Sequence, residues 1–266
     1  MAAPWFEDEI AHALAGALPG LRVEVVAEID STSTELMRRA RDGSRAPVLL
    51  VAERQTAGRG RLGRHWQSAQ DANQPASLTF SLGLPLAPRD WSGLSLAVGV
   101  SVAESLDPSG AARVGLKWPN DLWVAGDRKL GGILIETALL QPEAAERYLV
   151  IGVGINIGAR ASAGPGNSPA WLQEWRAGAS AGDVLREIAV PLVRNVQLFD
   201  ERGFVPFAPR FATRDVLRGR EVWLSDGTEG RCEGVGWGGE LLVQTSSGMK
   251  TVTSSEVSVR PAESAR

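Results

Sequence analysis

Leu116-Lys117-Trp118-Pro119-Asn120-Asp121-Leu122, with Arg128-Lys129-Leu130-Gly131-Gly132-Ile133-Leu134-Ile135-Glu136 close behind it, decides how this sequence is read. A strand over Val114–Trp118 runs straight into Lys-Trp-Pro-Asn-Asp, so it delivers charged and amide side chains at its end. Open sheets hold their ligands at such strand ends. A second strand follows near Gly132–Glu136. Taken separately, Pro-Asn-Asp reads equally well as a turn, and Lys129 beside Asp127 as a hairpin surface charge.

The flanks alternate in type. Phe6, Ile10, Leu14 and Leu18 keep helical spacing and stop at Pro19-Gly20. Leu21–Ile29 alternates as a strand, and Asp30-Ser31-Thr32-Ser33 offers capping side chains to a helix that runs to about Arg41. Val48–Ala52, Ser77–Leu82 and Tyr148–Asn156 read as strands, and Trp91–Leu106 as a helix. Gly158–Pro169 is small and aperiodic, hence a loop. Asp183–Phe199 is a helix that Pro191 bends or breaks. From Gly219 onward the pattern changes. Glu221–Leu224, Gly230–Val235, Glu240–Gln244 and Lys250–Val252 are short strands separated by Asp-Gly, Gly-Gly and Ser-Gly turns. The expectation is an α+β fold: a mixed β-sheet with helices over residues 1–216, opening on an N-terminal helix in 1–20. A small C-terminal SH3-like β-barrel follows over 217–266.

Two further stretches carry chemistry. In Gln55-Thr56-Ala57-Gly58-Arg59-Gly60-Arg61-Leu62-Gly63-Arg64-His65-Trp66, glycines and arginines interleave. Glycine lets backbone N–H groups approach an anion, and arginine supplies forked donors matched to phosphate or carboxylate. Alone, the stretch is also compatible with a solvated basic loop or an arginine-rich RNA segment, but the chain shows no further clustered basic patch. Val150-Ile151-Gly152-Val153-Gly154-Ile155-Asn156-Ile157 is a buried strand with two glycines, a sign of close backbone or ligand approach. Asn156 within it is a structural amide or a ligand contact. A Rossmann fingerprint is excluded: the third glycine is missing and no helix opens after it.

Composition narrows the class. The 266 residues hold 28 Lys+Arg against 31 Asp+Glu, a net charge of −3, with 44% hydrophobic and 22% charged residues. Those are globular values and exclude a disordered or fibrous chain. No apolar run approaches 18 residues, so no membrane span is expected. The acidic start, Glu7-Asp8-Glu9, is unlike a secretory signal, which makes a cytoplasmic protein the expectation. A single cysteine, Cys232, cannot form an internal disulfide, and two histidines leave no Cys/His zinc site. Three lysines stand among the 28 basic residues: Lys117, Lys129 and Lys250. Two of them flank the opening motif, where a compact ammonium in an otherwise arginine-writing chain suggests a specific need.

Gln55–Trp66, Lys117–Glu136 and Ile151–Asn156, in that order, resemble the biotin–protein ligases, and Asp30-Ser31-Thr32 and the β-rich tail extend the match over nearly the whole chain from about Leu21. The resemblance implies a two-step reaction. Biotin's carboxylate attacks the α-phosphate of ATP to give biotinyl-5′-AMP and pyrophosphate; a lysine on the biotin acceptor domain of a biotin-dependent carboxylase then takes the biotinyl group and AMP leaves. The resemblance places biotin contacts at Ser31, Thr32, Ser33, Gln55, Arg59, Gly60, Arg61 and Lys129, with backbone at Gly132 and Gly154. It assigns Arg64, Trp66, Lys117, Asn120, Asp121, Asn156 and Trp171 to the ATP side, with Trp171 either against adenine or a core anchor. Lys129, Arg61 and Lys117 would be the catalytic groups, and Asp121 would meet Mg²⁺.

Ser33 stands where many members carry asparagine, and Gly131 where some carry alanine. About 20 residues precede the first catalytic strand, too few for the winged-helix DNA-binding domain of some members, so the expected form is the ligase alone, without DNA. The sequence leaves monomer and homodimer open. A lipoate ligase would share the fold but lacks the Gly-Arg-Gly-Arg-x-Gly-Arg pattern. The remaining alternative is a regulatory biotin-binding protein without turnover.

Overall fold

Asp30-Ser31-Thr32 turns the chain from strand into helix. Ser31 is extended and its Oγ accepts a hydrogen bond from the Thr34 N–H at 3.4 Å, which satisfies one of the unpaired donors of the first helical turn. The helix that follows buries Leu36, Met37 and Ala40 against one face of a sheet, together with Val48, Leu50, Tyr148 and Val150. The structure is a computed structural model and describes residues 5–68, 70–71, 74–109, 114–125, 127–140, 145–160, 169–253 and 259–262.

In chain order the elements begin with α1 (Glu7–Leu14), β1 (Arg22–Ile29), α2 (Thr32–Arg41) and β2 (Val48–Gln55). Two short strands, β3 (Gln70–Asp71) and β4 (Gln74–Pro75), precede β5 (Ser77–Leu86) and α3 (Leu94–Leu106). Then come β6 (Gly115–Lys117), β7 (Asp121–Val124), β8 (Arg128–Leu139) and β9 (Arg147–Asn156). After α4 (Ala181–Arg202) and α5 (Ala208–Ala212) the chain ends in β10 (Glu221–Leu224), β11 (Glu229–Val235), β12 (Leu241–Thr245), β13 (Gly248–Val252) and β14 (Val259–Pro261).

The large sheet has the order β1-β2-β5-β9-β8-β7-β6, with β1 parallel to β2 and the other neighbours antiparallel. It is mixed, as the sequence predicts. The second sheet, β13-β12-β11-β10-β14, is antiparallel and matches the SH3-like expectation. Helices α3 and α4 cover the face opposite α2, where Val98, Val102, Leu192 and Val196 join the main core with Leu78, Phe80 and Ile151. One layer of helix on each face leaves the strand ends free to carry side chains.

Several expectations are corrected. The first helix is confined to Glu7–Leu14, with Phe6 in a left-handed conformation (φ 58°) before it. The strand expected at Gly132–Glu136 begins at Arg128, so Lys129 lies within it and not ahead of it. Asp121–Val124 forms a strand, β7, that sequence reasoning passed over: Pro-Asn does make a turn, but Asp121 already pairs with Lys117 across it. Pro191 does not break α4, and Asn195 Nδ2 donates to the Pro191 carbonyl at 2.9 Å within a continuous 22-residue helix. The fifth strand of the second sheet, β14, was also missed. Most of the loop expected at 158–169, residues 161–168, lies outside the described residues.

Candidate active site

The ends of β2, β7, β8 and β9, the start of α2 and the Gly58–Trp66 loop surround a cavity of about 630 Å³. Every residue assigned above to biotin or ATP lines it, with the exception of Trp171.

One end of the cavity is built from paired hydroxyls and amides. Ser31, Thr32 and Ser33 are buried at the start of α2. Thr32 Oγ1 and Ser33 Oγ share Ser81 Oγ at 2.8 and 2.9 Å, and Gln55 Oε1 accepts from both the Thr32 N–H (2.8 Å) and its hydroxyl (3.1 Å). A backbone donor on Oε1 fixes which way the Gln55 amide points, so its NH₂ is turned away from Thr32 as a donor. Two glycines of β9 make room. A Cβ at Gly152 would lie 2.4 Å from Ser33 Oγ, and one at Gly154 would lie 2.5 Å from the Trp66 indole. The close approach expected of that strand is therefore a hydroxyl and a ring laid on bare backbone.

The Gly/Arg stretch is an ordered lip. Arg59 bridges His65, the Gly60 N–H donates to the Arg64 carbonyl at 2.7 Å, and Arg61–Gly63 forms a 3-10 turn with Leu62 left-handed at φ 56° and exposed. Arg59, expected at biotin, directs its guanidinium to Glu136 (2.8 and 3.4 Å) at the rim. Arg61 Nη1 donates to Asn120 Oδ1 at 3.4 Å, and burial pulls its guanidinium below the ordinary arginine range.

The other end is cationic. Seven lining residues are Arg or Lys and two are Asp, although the chain as a whole carries −3. Lys129 Nζ donates to Asp121 Oδ1 at 2.6 Å. Lys117 is buried with Nζ 5.0 Å over the Trp123 ring. Its removal from water pushes its pKa down to about 8; Asp121 opposes that shift, and the charges of Lys129, Arg64 and Arg260 add to it. Such a field selects an anion.

Asn156 lines the cavity and is also tied into the fold. Its Nδ2 donates to the carbonyls of Ala170 (2.8 Å) and Lys129 (3.3 Å), and its Oδ1 accepts from Arg160, so the amide ties three segments together in the cavity wall. Asn120 is similar, donating to the Ile133 carbonyl at 2.8 Å. Trp171 is half-buried outside the cavity lining, at the cap of a 3-10 turn over Leu172–Glu174.

Among the lining residues that sequence reasoning did not assign are Trp123, Arg160 and Arg260. Trp123 lies two positions beyond Asp121 on β7, a same-face spacing that was available once β7 was recognised. Arg160 stands four residues past Asn156, 5.4 Å over the Trp66 ring. Arg260 arrives from β14 and has no local signal at all. The indole nitrogens of Trp66 and Trp123 are buried without a hydrogen-bond partner among the described residues, two donors held in the cavity wall.

Among the described residues no group of three or more His, Cys, Asp and Glu could hold a metal. Asp121 is one carboxylate, already engaged by Lys129. That donor set suits Mg²⁺ only as an ion carried in on substrate phosphates, which is how Mg²⁺ is ordinarily bound.

Residues 25–156 match the model of the biotin/lipoate A/B protein ligase family. The chain is also 35% identical over 262 residues, 95% of its length, to the bifunctional ligase/repressor BirA of Escherichia coli, of which it covers 78%. The chain belongs to this ligase family. Within it the chain is an enzyme of the biotin protein ligase class. The biotin--[acetyl-CoA-carboxylase] ligase of Mycobacterium tuberculosis is 41% identical over 162 residues, 58% of this chain and 56% of that protein. The structure of the biotin protein ligase from Aquifex aeolicus in complex with biotin and ATP superimposes with a TM-score of 0.72 at 30% identity, covering 90% of this chain and 99% of that one.

Proposed function

We propose that this ligase joins biotin to ATP and passes the biotinyl group to a lysine on the biotin carboxyl carrier domain of a carboxylase. The observation that carries this reading is the polarity of the cavity: paired hydroxyls and an oriented amide at one end, a cluster of cations around the buried Lys117 at the other. The ureido ring of biotin needs both donors and acceptors, which Ser31, Thr32 and Gln55 supply, and Phe80, Ile133 and Leu134 give apolar wall for its chain.

Lys129 takes the carboxylate and holds it in line with the α-phosphate. The carboxylate oxygen bonds to α-phosphorus, the bond to the β-phosphate oxygen breaks, and pyrophosphate leaves. Lys117, Arg61 and Arg64 neutralise the charge that develops on the phosphoryl oxygens. Asp121 would help to hold a Mg²⁺ carried in on the nucleotide, and that ion would supply further neutralisation of the triphosphate. In the second step the acceptor lysine's free amine attacks the biotinyl carbonyl, the C–O bond to AMP breaks, and the amine's proton is released. Positioning and charge do the work, and no protein nucleophile is required.

The division proposed is a catalytic unit over residues 1–216, which carries most of the site, and an SH3-like unit over 217–266, which adds Arg260 to the cavity wall. No helix among the described residues is long and apolar enough to cross a membrane, and the reaction's substrates suit a cytoplasmic enzyme. Pyrophosphate release from ATP, measured with biotin, with lipoate and with neither, tests the reading. Release that depends on biotin, with a biotin-sized mass gain on an acceptor-domain lysine, is the expected result. Preference for lipoate, or tight biotin binding without release, overturns it.

A further inference from the structure

We propose that Arg220, outside the cavity and at the entrance to the second sheet, is a positioning residue of the adenylation site. It acts through Asp127 on Lys129, and the inference rests on the role given to Lys129 above.

Three consecutive residues, Asp127, Arg128 and Lys129, are each tied to a different part of the molecule. Asp127 receives both arms of the Arg220 guanidinium, Nη1 to Oδ1 and Nη2 to Oδ2, each at 2.7 Å. Arg128 forks onto Glu174 at 2.9 and 2.6 Å. Lys129 reaches Asp121 with its Nζ and gives its carbonyl to the Ala170 N–H at 2.9 Å. Lys129 is thus held from three directions, and Arg220 supplies the one that comes from the second sheet.

Two features bear on this grip. Asp127 is left-handed, with φ at 57°, a turn conformation that aspartate tolerates, and both its carboxylate oxygens meet Arg220. The planar fork of arginine fixes both oxygens of the carboxylate at once, which a lysine cannot do. Arg220 is itself anchored, because its N–H donates to the Leu217 carbonyl at 3.0 Å and its carbonyl accepts from the Cys232 N–H at 2.8 Å.

The same sheet touches the site twice more. Trp118, between Lys117 and the Pro-Asn-Asp turn, donates its indole N–H to the Gly239 carbonyl at 3.0 Å. Strand β14 pairs with β10 and places Arg260 in the cavity wall. The second sheet therefore grips the opening motif at both ends.

The pair is partly exposed, 27% for Arg220 and 30% for Asp127, so it adds little to global stability. Its effect belongs in the rate. Arg220→Ala lowers kcat for biotin-dependent pyrophosphate release by about 10- to 100-fold, the scale of a small misplacement of a reacting group, while the melting temperature stays close to that of the parent. Asp127→Asn produces the same loss, since asparagine tolerates the left-handed backbone and removes only the charge. Arg220→Lys does not rescue. In a Lys129→Ala background the Arg220 substitution costs nothing further, an outcome that a merely structural role would not give. Wild-type rates in both single variants, or an undiminished loss on top of Lys129→Ala, overturn the inference. Absence of pyrophosphate release from the parent enzyme would instead refute the assigned function, so the two failures are distinguishable.

Discussion

Lys129 is the residue on which the proposed adenylation turns. Its ammonium rests 2.6 Å from Asp121, a contact that the biotin carboxylate would join or replace in the proposed reaction. Truncation to alanine leaves the incoming anion without its charge-assisted partner and should cost about 2–4 kcal/mol in the adenylation step. Lys129→Arg should also be poor, because a planar fork cannot occupy the space of an ammonium lying against Gly132. Single-turnover pyrophosphate release measures both variants; near-parental rates would move Lys129 out of the mechanism. This residue was legible from sequence because its neighbours in the chain are also its neighbours in the site. Trp171 was not, since distance along the chain from Asn156 carries no information about which way a side chain faces.

The lip from Gly58 to Trp66 is the element on which retention of the intermediate depends. A mixed anhydride that escapes acylates stray amines, so an enzyme that makes one must keep water and bystanders out. Arg61 holds the lip down through Asn120 without touching the hydroxyl end of the cavity. Arg61→Gly should therefore slow adenylation and also speed the dissociation of preformed biotinyl-AMP, which is measured separately, and biotin should appear on proteins other than the carboxylase. An off-rate unchanged by the substitution would mean that Arg59, through Glu136, closes the lip by itself. Spacing of glycine and arginine announced this element, and the capping residues announced α2. Strand β7 was hidden because four residues directly after a Pro-Asn turn give periodicity no room to show. Arg260 and Arg220 were invisible for another reason: the pairing of β14 with β10 brings Arg260 to the cavity wall, and Arg220 meets Asp127 across 93 positions of chain.

At the scale of the molecule, the passage from the large sheet to the small one runs through Arg214–Leu217. There the Leu116 N–H donates to the Arg214 carbonyl at 2.7 Å and the Val216 N–H to the Leu116 carbonyl at 3.1 Å. Asp215 sits in this passage with Oδ1 accepting from the Leu217 N–H and Oδ2 buried without a hydrogen-bond partner among the described residues. Burial pushes its pKa up from 3.8 to about 6. The folded form thus binds this proton more tightly than the unfolded chain, and stability falls as pH rises from about 4 through about 6, then levels. The loss attributable to this carboxylate is on the order of 2–3 kcal/mol. Asp215→Asn should flatten that slope in thermal melts across pH 4–8, and a slope identical to the parent's would place the titration elsewhere. The two orphaned indole donors in the cavity wall have an optical consequence. Of the chain's nine tryptophans, Trp66 and Trp123 alone combine a place in the cavity lining with an unsatisfied N–H. An indole excited state responds to the charge and dipoles around it, so the arrival of a phosphate or carboxylate among Lys117, Arg160 and these rings will register in the emission spectrum. The enzyme carries its own fluorophore for substrate occupancy, and Trp66→Phe and Trp123→Phe, titrated in turn, will tell which end of the cavity each ligand has entered.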